Sequence, residues 1–496
     1  MSTLQRLIVV SNRLPVTVRS TGSKSCLEVS GGGLVSALTP ILGATGGWWV
    51  GWTGTDYHET LLEALERWSS ERNYNLEPVF LTPAENAAYY RGFSNEIIWP
   101  LFHGLSSRCQ FDSAYWKSYR AVSAKFADGV ERVAADGDFI WVHDYHLMML
   151  AQDLRVRGVP QRLGYFHHIP FPPPDTFETL PWRSEVLRGL MCFDLLGFQT
   201  PRDRRNFIES LHRCLPGVHV SGLGEKLRVR FEDHWSTVGT FPISIDYADL
   251  AAEASGVEVT AAAEKIQRAC PGTAIILGVD RLDYTKGIPE RLIAFQTLLR
   301  SCPELRGRVT MIQIVVPSRE DIPEYIELRL RIERLVGNIN GEYSSPEWIP
   351  VHYFHRTISR TELLAFYRAA HAALITPLKD GMNLVAKEFC ASRIDSRGVL
   401  VLSEFAGAAA ELRNGAVLVN PNDTEKLAEV IARALQMSES EQRVRMELMR
   451  SHIQSHDVFR WSESFRMESN SSERLLEPAQ EMIPFRTAYK INSGKL

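Results

Sequence analysis

Residues 372–388 combine a strand pattern, a turn and a helix start with two carboxylates, Asp380 and Glu388. The apolar run 372–375 predicts a buried strand, and a helix is predicted to begin near Asn383. The free N–H groups at a helix start bind anions, and carboxylates accept hydrogen bonds from sugar hydroxyls. Because Asp380 lies on the turn and Glu388 just inside the helix, the segment predicts a seat for a sugar nucleotide.

A second pattern places Arg281 and Lys286 around a turn that ends at Gly287, before another predicted helix. Cations near a helix start are unfavourable unless an anion is bound, because the helix dipole is positive there. A departing nucleoside diphosphate gains negative charge, which fixed cations stabilise more strongly in the transition state than in the ground state. The pair therefore predicts a diphosphate site.

Glycines 31–33 precede a predicted helix, 35–42. They permit close approach of a phosphate to the backbone, and they are equally typical of a flexible loop. Asp144 and His168 each follow a predicted strand, where an acidic side chain can orient an acceptor hydroxyl and an imidazole can bind a sugar. Ordinary polar residues also occupy such positions, so both interpretations stay open.

The composition is that of an ordinary water-soluble protein. The 496 residues are 45% apolar and 23% charged, with a formal charge of −4. That balance argues against a nucleic-acid or anionic-membrane partner, and no apolar run is long enough to predict a membrane-spanning helix. The seven cysteines are scattered. They are typical of reduced thiols and favour a cytoplasmic location.

Two patterns could indicate a metal, and neither is favoured. Asp136 and Asp138 have the spacing of an Asp-x-Asp metal motif, but they precede a predicted strand and so lie at its amino end. The histidine pairs 143/146 and 167/168 have no cysteine or third ligand at suitable spacing. The sequence predicts no metal and no cofactor.

Strand patterns alternate with amphipathic helix patterns, which predicts parallel sheets in an α/β protein. The predicted strands are 7–11, 139–143, 162–167, 274–279, 309–316, 372–376, 398–402 and 416–419. The predicted helices include 59–71, 114–133, 288–300, 324–336, 360–370 and 424–436.

The predicted organisation has two domains of similar size, 1–244 and 245–456. A helix, 457–466, is predicted to pack back on the first domain, and 467–496 are predicted to form a flexible tail. Ligands of open parallel sheets bind beyond the carboxyl ends of the strands. Polar groups follow six predicted strands, drawn from both halves, which predicts one cleft between the domains. Among these groups are Arg13, Asp144, His168, Arg281, Arg319 and Asp380.

Taken together, the motifs closely resemble those of the trehalose-6-phosphate synthases, retaining enzymes of glycosyltransferase family 20. The resemblance spans residues 7 to about 465. It rests on segments 11–13, 32–34, 49–54, 89–95, 99–100, 141–146, 168–172, 279–287, 380–388 and 403–407.

The resemblance implies a GT-B fold: two Rossmann-like, doubly wound parallel-sheet domains that face a central cleft. It implies metal-independent transfer of glucose from UDP-glucose to glucose 6-phosphate, which gives α,α-trehalose 6-phosphate with retained configuration. A dimer or tetramer is also typical of the family. The donor base, the oligomeric state, regulation and the tail are not set by the sequence.

Site roles carry over from the family to matching positions. The implied donor-binding residues are Gly33, His168, Arg281, Lys286, Asp380, Leu384, Val385 and Glu388. The implied acceptor-binding residues are Arg13, Tyr90, Trp99, Asp144 and Arg319. The implied catalytic residues are Asp144, His168, Arg281, Lys286 and Asp380.

Two departures from the family pattern are His167, where an apolar residue is expected, and Lys379, which replaces an arginine. Neither is expected to contact a ligand. Two alternative functions remain. One is a sister enzyme that uses glycerol 3-phosphate as acceptor, and the other is a catalytically silent sugar-phosphate sensor on the same fold.

Overall fold

Two parallel sheets, one in each half of the chain, form the scaffold. The computed structural model describes residues 5–21, 24–55, 59–320 and 322–471. The strands are β1 (Leu7–Arg13), β2 (Val16–Thr21), β3 (Lys24–Val29), β4 (Trp48–Trp52), β5 (Asn75–Val79), β6 (Phe139–His143), β7 (Arg162–His167), β8 (Leu195–Phe198), β9 (His219–Ser221), β10 (Lys226–Phe231), β11 (His234–Thr240), β12 (Ala274–Arg281), β13 (Val309–Val316), β14 (Val351–His355), β15 (Ala372–Ile375), β16 (Val399–Ser403) and β17 (Val417–Val419).

The first sheet has nine strands in the order β5-β4-β1-β6-β7-β8-β11-β10-β9. The pairings from β5 through β11 are parallel, and β10 and β9 add an antiparallel edge. The second sheet has six strands, all parallel, in the order β14-β13-β12-β15-β16-β17. Strands β2 and β3 form a separate hairpin. The chain order reverses beside β1 and β12, as in doubly wound sheets.

Helices connect the strands and cover the sheets, so the central strands are buried on both faces. The helices are α1 (Gly33–Thr45), α2 (Glu59–Ser70), α3 (Pro83–Asn86), α4 (Trp99–Phe102), α5 (Ser113–Val133), α6 (Leu150–Val156), α7 (Pro174–Phe177), α8 (Arg183–Leu190), α9 (Pro201–Cys214), α10 (Tyr247–Ala254), α11 (Val257–Ala269), α12 (Ile288–Ser301), α13 (Pro323–Tyr343), α14 (Arg360–Ala369), α15 (Leu384–Ser392), α16 (Ala409–Leu412), α17 (Thr424–Leu435), α18 (Glu439–Ser455) and α19 (Val458–Ser471). Within the described ranges, no helix has the length and apolar character needed to cross a membrane.

The predicted strands and helices are all present, and β6, β7 and β13 have the predicted bounds. Several strands of the first sheet were not predicted, because they are short or carry residues that are unusual in strands. Strand β5 contains Pro78, and β4 and β8 contain Gly51 and Gly197. Proline and glycine weaken the alternating pattern by which a strand is identified from sequence.

An unusual helix follows the capped helix α3. Residues Ala87–Ile98 form a π-helix of 12 residues, which runs directly into α4. Its wide turns are rare in proteins and are most frequent at functional sites. Gly92 allows the segment to pack tightly on α5, since a side-chain carbon there would lie 2.6 Å from the ring of Tyr115.

The C-terminal helix α19 packs on the first sheet, although it follows the second sheet in the chain. The backbone N–H of Val458 donates to the carbonyl of Ile245, in the segment that links the two sheets. The Trp461 ring centre lies 4.8 Å from that of Trp141 in β6. The helix continues to Ser471, beyond the predicted start of the tail at 467, and residues 472–496 lie outside the described ranges.

Phe465 is the deepest anchor of this helix. Its ring is fully buried and stacks on Trp141, with 4.7 Å between ring centres, and it contacts Phe241 edge-on at 5.0 Å. Glycines make room for it, since a side-chain carbon on Gly164 or Gly197 would lie within 2.8 Å of the ring. The ring of Phe465 therefore fills the space above Gly164 and Gly197, which have no side chains of their own.

Replacing this ring tests the contribution of α19 to stability. Phe465→Ala should lower the free energy of unfolding by about 3–5 kcal/mol, because it leaves a cavity between two packed layers. Urea denaturation followed by tryptophan fluorescence measures the change. Phe459→Ala, on the exposed side of the same helix, is the control and should change stability by less than about 1 kcal/mol. Equal losses for the two variants would contradict the proposed anchor.

Candidate active site

The carboxyl ends of the two sheets meet at Gly381 and His168. A side-chain carbon on Gly381 would lie 2.2 Å from the carbonyl oxygen of His168, so only glycine allows this approach. Next to it, the Nδ1 atom of His168 lies 3.1 Å from the sulfur of Met382. The segment after β15 and the segment after β7 are thereby held against each other.

Helix α15 begins beside this contact and supplies an anion seat. Its N-cap, Asn383, has a left-handed backbone with φ of 68°, and its side-chain oxygen accepts from the N–H of Ala386. Within the described ranges, the N–H groups of Leu384 and Val385 have no acceptor. Gly33, at the start of α1, packs against Leu384, where a side-chain carbon would lie 3.0 Å from its methyl group.

Lys286 and Asp380 form an ion pair at the edge of this seat. The lysine Nζ lies 2.5 Å from Asp380 Oδ2, which also accepts from the side-chain amide of Asn383 at 3.1 Å. Burial favours the neutral acid, but Lys286 outweighs it and lowers the pKa of Asp380. The carboxylate therefore stays ionised and fixes the position of the lysine.

Two arginines of the site have no carboxylate partner among the described residues. Arg281 ends β12, and its guanidinium carbon lies 6.0 Å from the ring centre of Trp99. Arg13 ends β1, and its guanidinium carbon lies 4.7 Å from the ring centre of Trp52. Unpaired arginines beside aromatic rings form a ready site for a phosphate.

Arg319 also lies beside Trp99. Its guanidinium carbon is 4.5 Å from the ring centre, and its side chain is only 7% exposed. Nη1 donates to the hydroxyl of Tyr325 at 2.5 Å and lies 3.5 Å from Asp283 Oδ2. The backbone at Arg319 has a φ of 51°, a left-handed value that is rare for a long side chain.

Tyr90 faces these arginines from the π-helix, at whose end Trp99 begins α4. Burial favours the neutral phenol, but Arg319 and Arg13 outweigh it and lower the pKa of Tyr90. The ring also stacks on His146, with 5.8 Å between centres. Tyr90 is therefore held in a strongly positive environment.

Asp144 and His168 lie together beneath the cleft. Asp144 has a left-handed backbone, φ 75°, and its carboxylate accepts from the backbone N–H of His168 at 3.2 Å. Burial raises the pKa of Asp144 to about 7. His168 Nε2 lies 3.0 Å from Nδ1 of the buried His143. Burial, together with His143, places the pKa of His168 well below its usual value, so the imidazole is neutral.

Glu388 lies one helical turn beyond the anion seat. Its Oε2 accepts from the hydroxyl of Tyr367 at 3.0 Å. Burial raises the pKa of Glu388. Its position places a carboxylate beside the start of α15, where it can accept hydrogen bonds from a polyol.

The predicted site residues fall into three neighbouring groups. The arginine and aromatic group contains Arg13, Tyr90, Trp99, Arg281 and Arg319, and the anion seat contains Gly33, Lys286, Asp380, Leu384 and Val385. Asp144 and His168 are linked to each other, and Glu388 lies farther along α15. Of the two departures, His167 is a buried residue that bonds the hydroxyl of Tyr165, and the Nζ atom of Lys379 lies near Gly104.

Sequence reasoning missed several residues that shape the site. His143, His146 and Asp283 lie in the segments 141–146 and 279–287, which also contain predicted site residues. That proximity in sequence could have identified them as part of the site. Tyr325 carried no signal, because its role depends on the fold of α13 against β12. Within the described ranges, no group of three or more His, Cys, Asp or Glu residues is placed to hold a metal ion.

Two doubly wound sheets that meet at their carboxyl ends, with cations around an anion seat, define a GT-B glycosyltransferase. A family model described as glycosyltransferase family 20 matches residues 5–471. The chain belongs to that family.

Individual relatives agree with this assignment. The chain is 43% identical to a trehalose-6-phosphate synthase from Mycobacterium sp. strain JLS, over 92% of this chain and 95% of the relative. It is 41% identical to a bifunctional trehalose-6-phosphate synthase/phosphatase from Thermoproteus tenax, over 99% of this chain and 67% of that protein.

A solved structure is also similar. It is a UDP-forming α,α-trehalose-phosphate synthase from Burkholderia xenovorans in complex with glucose-6-phosphate. The match has a TM-score of 0.85 at 34% identity and covers 94% of this chain and 100% of that one.

The raised pKa of Asp144 predicts a pH-dependent cost in stability. The pKa of Asp144 is 3.8 in the unfolded chain and about 7 in the folded protein, so the folded protein holds this proton more tightly. Between these two pH values the free energy of unfolding therefore falls as pH rises. Asp144→Asn should therefore stabilise the protein, and the gain should grow between pH 5 and pH 8. Thermal unfolding of both proteins across this range measures the gain.

Asp136→Asn provides the control, since Asp136 lies on an exposed turn and its side chain stays in water after folding. Its effect on the unfolding temperature should not grow with pH. A gain for Asp144→Asn that is the same at pH 5 and pH 8 would contradict the burial of a titrating carboxyl.

Proposed function

We propose that this protein is a retaining glucosyltransferase that transfers glucose from UDP-glucose to glucose 6-phosphate. The products are α,α-trehalose 6-phosphate and UDP. The observation that carries the proposal is the presence of two cationic sites, one with Lys286 at the start of α15 and one with arginines around Trp99. One site suits a diphosphate beside a helix start, and the other suits a single phosphate among arginines.

The acceptor phosphate binds between Arg13, Arg319 and Tyr90. Arginine forks match phosphate oxygens, and the phenol donates a further hydrogen bond. Trp99, which lies beside Arg319, lines the pocket for the acceptor sugar. The Burkholderia relative, whose complex contains glucose-6-phosphate, supports a sugar phosphate as the ligand here.

The donor diphosphate binds at the start of α15. The free N–H groups of Leu384 and Val385 and the charge of Lys286, which is paired with Asp380 just before the helix, are available to it, and Gly33 lets the first domain approach. Arg281 supplies the second cation. Asp380 binds hydroxyls of the donor glucose, and Glu388 binds the ribose. Such contacts use carboxylates that the fold already holds in place.

The reaction breaks the bond between glucose C1 and the diphosphate oxygen and forms one to the acceptor hydroxyl. Attack from the face of the departing group retains the configuration, and the departing oxygen takes the acceptor proton. Arg281 and Lys286 stabilise the charge on this oxygen. Asp144 orients the acceptor, and the neutral imidazole of His168 binds a hydroxyl of the donor sugar.

The proposed chemistry uses no metal. In many transferases a divalent ion neutralises the diphosphate, and here Arg281, Lys286 and the helix start offer the same compensation.

Nucleotide release from UDP-glucose tests the function. The assay contains EDTA and either glucose 6-phosphate, glycerol 3-phosphate or no acceptor, and NMR identifies the product. We expect release with glucose 6-phosphate alone and an α,α-1,1 linkage. Release only with glycerol 3-phosphate would make the protein a sister enzyme, and no release with any acceptor or nucleotide base would favour the silent sensor. Activity restored only by adding magnesium would contradict the metal-free proposal.

Two arginine variants separate the two sites. Arg319→Ala should raise KM for glucose 6-phosphate roughly tenfold or more, because it removes a forked phosphate contact, and should leave KM for UDP-glucose nearly unchanged. Arg281→Ala should instead lower kcat by roughly tenfold to a hundredfold, because it removes a contact that strengthens in the transition state. Steady-state kinetics with each substrate varied in turn measures both. Identical kinetic defects in the two variants would contradict the assignment of two sites.

A further inference from the structure

Asp283 contacts residues of both cationic sites. Its partners are Thr285, next to Lys286, and Tyr325 with Arg319. It follows the end of β12 and caps the short turn Tyr284–Lys286. Its side chain is 1% exposed, so water does not satisfy the carboxylate. Both oxygens must therefore find partners within the protein.

One oxygen supports the donor side. Oδ1 accepts from the backbone N–H of Thr285 at 3.0 Å and from its hydroxyl at 2.9 Å. The carbonyl of Thr285 in turn accepts from the N–H of Leu378 at 2.7 Å, just before Asp380. This chain of bonds fixes the turn that carries Lys286 against the segment that carries its partner carboxylate.

The other oxygen supports the acceptor side. Oδ2 accepts from the hydroxyl of Tyr325 at 3.3 Å and lies 3.5 Å from Nη1 of Arg319. The Tyr325 hydroxyl also accepts from that same Nη1. Two contacts therefore hold the guanidinium of Arg319. They offset the strain of its left-handed backbone.

We infer that Asp283 is a positioning residue that couples the donor and acceptor sites. One oxygen orders the turn that presents Lys286 to the diphosphate, and the other orders the arginine that receives the acceptor phosphate. This inference rests on the proposed function, because it takes the two cationic sites as the sites of the two substrates.

Charge explains why a carboxylate is needed at this point. Arg281 and Arg319 approach Trp99 from within 6.0 Å and 4.5 Å of its ring centre, so two cations and two bound phosphates would crowd one region. The buried carboxylate of Asp283, 3.5 Å from Nη1 of Arg319, holds that guanidinium in its place beside the ring. Without it, the guanidinium is free to turn toward the diphosphate, and both substrates lose affinity.

Three variants test the two halves of this arrangement. Asp283→Asn removes the charge and should raise KM for both substrates, each roughly tenfold. Thr285→Val removes only the hydroxyl bond on the donor side, keeps the backbone N–H bond, and should raise KM for UDP-glucose alone. Tyr325→Phe removes only the acceptor-side hydroxyl and should raise KM for glucose 6-phosphate alone. Initial rates over a grid of both substrate concentrations give the constants.

Asp138→Asn is the matched control. Asp138 is also a buried carboxylate, paired with Arg6 and accepting the N–H of Ala135, but it lies at the amino end of β6. It should change both KM values by less than about twofold, even where it lowers the unfolding temperature. The comparison separates positioning of substrates from a general loss of stability.

The outcomes distinguish this inference from the proposed function. A wild-type protein that is inactive with UDP-glucose and glucose 6-phosphate would overturn the proposed function. An active wild type whose Asp283→Asn variant changes one KM only, or resembles Asp138→Asn, would overturn the coupling. If Asp283→Asn does not fold, the split between Thr285→Val and Tyr325→Phe decides, and loss of that split would also overturn it.

Discussion

The concentration of positive charge where the two sheets meet is the constraint on which the rest of the molecule depends. Arg13, Arg281, Lys286 and Arg319 come from strand ends or adjoining loops of both sheets. Only Lys286 and Arg319 have carboxylate partners among the described residues. Lys286 and Arg319 are largely buried, whereas Arg13 and Arg281 are exposed, so water screens part of the repulsion among these cations. Bound anions remove the rest.

The buried histidines near this junction add no positive charge to it. Burial lowers the pKa of His143, His146 and His167 to about 3, so none adds a proton near neutral pH. The histidines serve as aromatic and hydrogen-bonding groups that tolerate nearby arginines only because they are uncharged. The positive charges of the cleft therefore come from arginine and lysine. The carboxyl of Asp144, whose burial raises its pKa to about 7, is the group beside them whose charge changes near neutral pH.

Local signals predicted much of the site, and tertiary contacts supplied the rest. The turn at Asp380 and the helix start at Asn383 were predictable because strand, turn and cap follow one another in sequence. The π-helix that presents Tyr90 was not, because its wide turns do not follow the 3.6-residue period. The contact of Tyr325 with Asp283 depends on how two distant elements pack, which no local pattern contains.

Helix α19 has a consequence for how the chain is made. A ribosome releases the first sheet hundreds of residues before it releases the helix that covers one of its faces. During that interval Trp141 and Phe241 lack the contacts with the aromatic rings of α19. The nascent first half therefore exposes an apolar surface to other chains and to chaperones. The core of the first half is completed only after α19 has been synthesised, so the two halves mature together although each has its own sheet.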